Sequence, residues 1–219
     1  MLGTSGPWSN NQLPRYAFAS LPAANAVPVG YRVIATNLGA NGTELISNGT
    51  RWRPIAGIAV LKDLGAPVSG IANSEVIRLQ TLLPANALQV NDTLRIWLAL
   101  AKSGATDYGL VTVRMGTAGT TGDTAITSLS AAIELGAVSI SGAAIFDIKL
   151  ISATSAQRIG TGAAQTGTYT TLVNTSAAAA ATTISSVSAN PIYVSASAYS
   201  SSTNDTITIQ SGQIQLITP

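Results

Sequence analysis

The chain has 219 residues, of which 9% are charged and 5% aromatic, a formal charge of +2, and neither cysteine nor histidine. That composition excludes disulfide staples and Cys- or His-based metal sites, and the singly spaced arginines form no basic patch for nucleic acid. A free monomer usually carries about a quarter charged residues, so a surface this poor in charge predicts a homo-oligomer with much of that surface buried between subunits. The length suits one sizeable β-domain plus a small appendage, or two modest domains. Met1 to Pro7 lacks the basic and apolar regions of a signal peptide, and no apolar run approaches the length of a membrane span. A cytoplasmic product without membrane insertion is expected.

Residues 1–29 hold Pro7, Pro14, Pro22 and Pro28 among Trp8, Leu13, Tyr16, Phe18 and Leu21. Proline at this density precludes a helix or a central strand, so the segment is predicted to be an extended docking arm whose aromatic side chains anchor in a partner's grooves. A strap across its own domain is the alternative.

Residues 30–57 read as a β-meander. Tyr31, Val33 and Ala35 alternate with Arg32, Ile34 and Thr36, and the chain turns over Asn37 to Gly42. It returns through Glu44 to Ser47, turns at Asn48-Gly49, and enters a third short strand at Arg51-Trp52-Arg53 that Pro54 ends. Asn-Gly predicts a type I′ turn, in which both central residues need positive φ. A ribbon of this size has almost no two-sided core, so it is expected to pack on copies of itself or on another protein.

The run Glu44-Leu45-Ile46-Ser47-Asn48-Gly49-Thr50-Arg51-Trp52-Arg53-Pro54 resembles an SDGTRWRP-type hairpin. Such hairpins recur near the N-termini of tailed-bacteriophage fibre, tail and head-associated proteins, where a β-sandwich follows. The similarity is close over residues 29–54 and looser beyond. It implies a virion structural protein assembled in the host cytoplasm, with other tail or capsid proteins as partners. It also implies a trimer, and a host surface glycan as a ligand of the displayed domain. Under that reading Trp8, Tyr16, Phe18, Arg51, Trp52 and Arg53 are the particle-docking residues. No cofactor, metal or catalytic residue is expected.

Residues 58–67 are predicted to be a linker with a short strand over Ile58 to Leu61, and residues 68–219 a jelly-roll-like antiparallel β-sandwich, making the chain all-β. Strict alternation from Thr93 to Leu100 places Leu94, Ile96, Leu98 and Leu100 on the buried face. Further strands are expected over Val76 to Leu83, Leu110 to Met115, Ala131 to Ile140, Ala144 to Ile151, Gly167 to Val173, Thr182 to Val187, Ile192 to Tyr199 and Thr206 to Ile217. In the last of these, Ile207 and Ile209 are odd-numbered whereas Ile214 and Leu216 are even-numbered, which predicts a β-bulge across Ser211-Gly212. The alanine run Ala177 to Ala181 supports one helical turn at most.

Catalysis without histidine or cysteine would rest on carboxylates, Lys, Tyr or Ser, and the acids Asp63, Glu75, Asp92, Asp107, Asp123, Glu134, Asp147 and Asp205 are spread singly. A glycosidase needs two converging carboxylates, and the candidate pair is Asp107 with Asp123, which flank one expected strand. Placement at strand ends accounts for all of them, and a non-enzymatic protein is expected. The glycines 116, 119 and 122 lack the strand-to-helix context of a phosphate-binding loop and predict a flexible loop at the sandwich tip. Asn-X-Thr/Ser triplets such as Asn48-Gly49-Thr50 read as turns. The competing function is a carbohydrate-binding module, for which Trp97, Tyr108, Tyr169, Tyr193 and Tyr199 are the available platforms. A depolymerising hydrolase would need more acids.

Overall fold

The computed structural model describes residues 12–69, 71–103, 109–131, 139–166, 172–173, 181–204 and 206–219. Within them the chain is an all-β sandwich with a small N-terminal sheet built onto it, as composition and alternation predict.

The N-terminal sheet has the order β1-β2-β3-β4, formed by β1 (Arg15–Tyr16), β2 (Arg32–Ala35), β3 (Thr43–Ser47) and β4 (Trp52–Pro54). Alternation decides its faces: Val33, Ala35 and Leu45 are buried while Arg32 and Ile34 are not. β5 (Ile58–Asp63), β6 (Val68–Ser69) and β7 (Ile71–Ala72) then lead into the long strands. These are β8 (Val76–Leu83), β9 (Thr93–Ser103), β10 (Gly109–Gly116), β11 (Thr124–Ala131), β12 (Ser139–Ser152) and β13 (Ser155–Thr166). Two short strands, β14 (Leu172–Val173) and β15 (Thr182–Thr183), precede β16 (Ile192–Ser200) and β17 (Thr206–Ile217).

Among the described residues, one sandwich layer is a seven-stranded sheet of order β15-β13-β12-β9-β17-β5, with β6 also on β17. The other is a six-stranded sheet of order β14-β11-β10-β16-β7, with β8 also on β16. The chain crosses between layers from β8 to β9 and from β9 to β10, and forms hairpins at β10-β11 and β12-β13 within a layer. Leu94, Ile96, Leu98 and Leu100 of β9 all face inward, each at most 4% exposed, so the predicted face is the buried one. They meet Phe146 and Ile148 of β12 and Val111, Val113 and Val194 of the opposite layer in one contiguous core.

Several expectations change. Pairing is not antiparallel throughout: β1 runs parallel to β2, and β7 parallel to β16. The segment expected as linker starts with a strand of the sandwich, since β5 pairs with β17 and buries Ala59 and Leu61. Its Ala-Val-Leu alternation is what seats it. The bulge in β17 lies between Ile209 and Ser211, a residue or so before the expected place, and it brings Gly212 inward where the parity switches. The strands β11 and β13 are not among the expected ones, apart from Ala131 at the end of β11, because Thr, Ser, Ala and Gly carry little alternation signal. Residues 177–180 of the alanine run, and most of the strand expected over Gly167 to Val173, lie outside the described residues.

Candidate docking region

The hairpin that carries the resemblance folds as β3-turn-β4, with Ser47 opposite Trp52 and Leu45 opposite Pro54. Its turn is longer than the type I′ turn expected. Gly49 has φ +87°, and Asn48 is not among the residues with positive φ. Instead the Asn48 carboxamide oxygen accepts from the backbone N–H of Thr50 (3.0 Å) and Arg51 (2.8 Å) and from the Thr50 hydroxyl (2.8 Å). This is the self-capping that asparagine offers in a loop, and it holds the four residues 48–51 in place of a two-residue turn.

The meander does not wait for an outside surface. Val33, Ala35, Leu38 and Leu45 are buried in the same contiguous cluster as Leu61, Leu79 and Leu94 of the sandwich. The expectation that this face needs another molecule is therefore corrected: the chain's own sandwich supplies it.

An ion pair fastens the same junction. Arg51 Nη2 donates to Asp92 Oδ1 (2.5 Å), Arg51 Nη1 to Gln89 Oε1 (3.3 Å), and the Gln89 backbone N–H to Asp92 Oδ2 (2.9 Å). Asp92 is 1% exposed. Burial pushes its carboxyl above the ordinary value of 3.8, against the opposing pull of the Arg51 and Gln89 hydrogen bonds and of the Arg51 and Arg53 charges.

The leader, in its described part, is likewise a strap on its own domain and not a free arm. Ile34 N–H donates to the Pro14 carbonyl and Thr36 N–H to the Tyr16 carbonyl, both 2.8 Å. Phe18 N–H donates to Asn37 Oδ1 (2.7 Å), the Ser47 hydroxyl to the Ala24 carbonyl (2.8 Å), and Trp52 Nε1–H to the Pro22 carbonyl (2.8 Å). Proline prevents a central strand, as expected, but it permits these edge contacts and two 3₁₀ turns, Phe18–Ser20 and Ala24–Ala26.

The predicted docking residues separate accordingly. Phe18, Arg51 and Trp52 come together around a groove of 320 Å³, with Leu21, Pro22 and Gln89 among its other lining residues. Trp52 also meets Tyr31 edge-on, with ring centroids 6.3 Å apart. Tyr16 packs against the core from β1, and Arg53 lies opposite Ile46 on β4. Neither lines this groove. Trp8 lies outside the described residues. Arg51, expected among the particle-docking residues, pairs with Asp92 of its own chain.

The scattered arginines find the scattered acids, with no local signal in the sequence to mark the partners. Among the described residues Arg32 pairs with Glu44, Arg51 with Asp92, Arg95 with Asp147 and Arg114 with Glu75. Glu75 also accepts from the Ser197 hydroxyl. Arg32–Glu44 and Arg95–Asp147 join neighbouring strands, and Arg114 of β10 reaches Glu75 just before β8, relations across a sheet that single-chain spacing does not reveal. Asp123 ties the glycine loop down, accepting from Ala118 N–H (3.1 Å) and Gly119 N–H (2.8 Å). That loop is a capped β10-β11 connection, and the expected flexible tip is corrected to a fastened one. Asp107, the suggested partner of Asp123, lies outside the described residues, as do Tyr108, Tyr169, Glu134 and Asp205. No three of His, Cys, Asp and Glu gather to hold a metal among the described residues.

No protein-family model, curated protein or solved structure matches this chain.

Proposed function

We propose that this chain is a non-enzymatic structural subunit of a tailed-bacteriophage virion, a tail-fibre, tail-tip or head-decorating subunit that docks by its N-terminal sheet and displays its sandwich towards the host surface. The observation that carries this reading is the Ser47-to-Pro54 hairpin. Its sequence resembles the phage hairpin, and its Arg51 and Trp52 wall a groove beside the strap. The chemistry of that groove suits an extended segment of a tail or capsid protein that inserts an aliphatic or aromatic side chain between Phe18, Leu21 and Trp52. Buried anchors of this kind dominate interface energies. The low charge of the chain supports assembly into a homo-oligomer, with three copies as the resemblance implies.

Mass spectrometry of gradient-purified particles, from a lysate in which the protein is expressed, tests the reading. The chain is expected in the particle band at fixed stoichiometry. Recovery only from the soluble fraction would contradict it.

A further inference from the structure

Asn41-Gly42-Thr43 and Asn48-Gly49-Thr50 are the same triplet met twice, and they hold the only two Asn-Gly pairs in the chain. Asparagine before glycine is the pair most prone to lose its side-chain amide, because glycine, without a Cβ, lets its backbone nitrogen swing onto the neighbouring carboxamide carbon. Both asparagines are exposed. Sequence and exposure therefore do not separate them, but hydrogen bonding does.

Asn48 is locked. Its Oδ1 accepts from the N–H groups of Thr50 (3.0 Å) and Arg51 (2.8 Å) and from the Thr50 hydroxyl (2.8 Å). The nitrogen that would attack it is held as well. Gly49 N–H donates to Ser47 Oγ (3.0 Å), and the buried Ser47 hydroxyl donates in turn to the Ala24 carbonyl (2.8 Å). Bringing the carboxamide carbon onto the Gly49 nitrogen breaks these bonds together, and each contributes a net stabilisation. At Asn41 the counterparts are missing. Among the described residues nothing holds its carboxamide. The Thr43 hydroxyl, which corresponds to that of Thr50, donates to the Leu38 carbonyl instead (2.6 Å). Gly42 N–H has the Gly39 carbonyl at 3.3 Å, beyond the usual N–H···O range.

We infer that Asn41 is a site of spontaneous deamidation and that the fold protects Asn48 from the same reaction. The Gly42 nitrogen, on losing its proton to hydroxide, bonds to Asn41 Cγ. The Cγ–Nδ2 bond breaks and ammonia leaves with a proton taken from water, which closes a succinimide ring. Water then opens the ring at either carbonyl to give aspartate or isoaspartate, and nothing is oxidised or reduced. Each event replaces a neutral amide by a carboxylate, so the formal charge falls below its present +2. The new carboxylate stands on a groove of 460 Å³ along β5, with Glu44, Lys62 and Asp63 among its other lining residues. Isoaspartate also lengthens the main chain of the β2-β3 turn by a methylene.

Cleavage after Glu44 puts the two sites on separate peptides, so mass-spectrometric mapping reads each independently. Purified full-length protein held in mildly alkaline buffer should gain acid at position 41 at least about tenfold faster than at position 48, a barrier difference of about 1.4 kcal/mol. In the chain unfolded by urea the two sites should react at comparable rates, because the triplets are identical. Thr50→Ala removes the hydroxyl donor to Asn48 Oδ1, and should quicken the reaction at Asn48 while leaving Asn41 as it was. Equal rates in the folded chain, a faster Asn48, the same preference in the unfolded chain, or no effect of Thr50→Ala at Asn48 would overturn the assignment.

Discussion

Leu98 has no exposed surface and sits midway along β9, where its δ-carbon comes within 2.8 Å of the position a Cβ would take on Gly212. The Trp97 carbonyl lies 3.1 Å from the same point, so the inward turn of β17 after its bulge depends on a residue without a side chain. Leu98→Ala should cost about 2–5 kcal/mol in urea denaturation, as deletions from a packed core do. Gly212→Ala should cost about 1–3 kcal/mol through crowding. Because the two share one space, the double variant should lose clearly less than the sum. Additive losses would show that Gly212 and Leu98 do not press on each other.

Between elements, the junction of the N-terminal sheet with the sandwich rests on buried aliphatic packing and on Arg51–Asp92. Removing one partner of a buried pair leaves the other uncompensated, so Arg51→Ala should cost about 3 kcal/mol. Asp92 adds a pH dependence whose sign follows from its raised pKa. The folded state holds the proton more tightly than the unfolded one. The stabilisation from this group is therefore complete below 3.8 and is lost as pH rises through the folded value. Relative to Asp92→Asn, the wild type should thus be more stable at about pH 4 than at about pH 7. A difference that is constant, or that runs the other way, would contradict the raised pKa of this carboxyl.

The strap makes a similar demand on the neighbouring sheet. Deleting residues 1–29 removes the acceptors of Trp52, Ser47, Ile34 and Thr36. Hydrogen exchange in β2 to β4 should then quicken, whereas β9 and β17 keep their protection. Unchanged exchange in β2 to β4 would mean that the strap holds nothing. What could be read from the chain at this scale was what alternation and turn residues encode: β2, β3, β8, β9, β16 and β17, and the hairpin at Asn48-Gly49. Long-range pairing was hidden. Nothing local in Arg51 names Asp92, nothing in Pro22 marks its carbonyl as the acceptor of Trp52, and the Ser-Ala-Gly composition of β13 hides a twelve-residue strand.

For the whole molecule, the N-terminal sheet and the sandwich share one core, so any docking surface of the N-terminal part is carried on a fixed platform. Three of the expected docking residues converge on the groove beside the strap, and three do not or lie outside the described residues. Ala23 lines that groove and is exposed. Ala23→Arg therefore fills the groove without removing a contact that holds the protein together. The most direct measurement is competitive incorporation: wild-type and Ala23→Arg chains are supplied in equal amounts during phage assembly and counted in purified particles by quantitative mass spectrometry. Docking through this groove predicts that the variant is depleted at least about tenfold, the loss expected when a central anchor pocket is blocked. Equal incorporation of the two chains would contradict it.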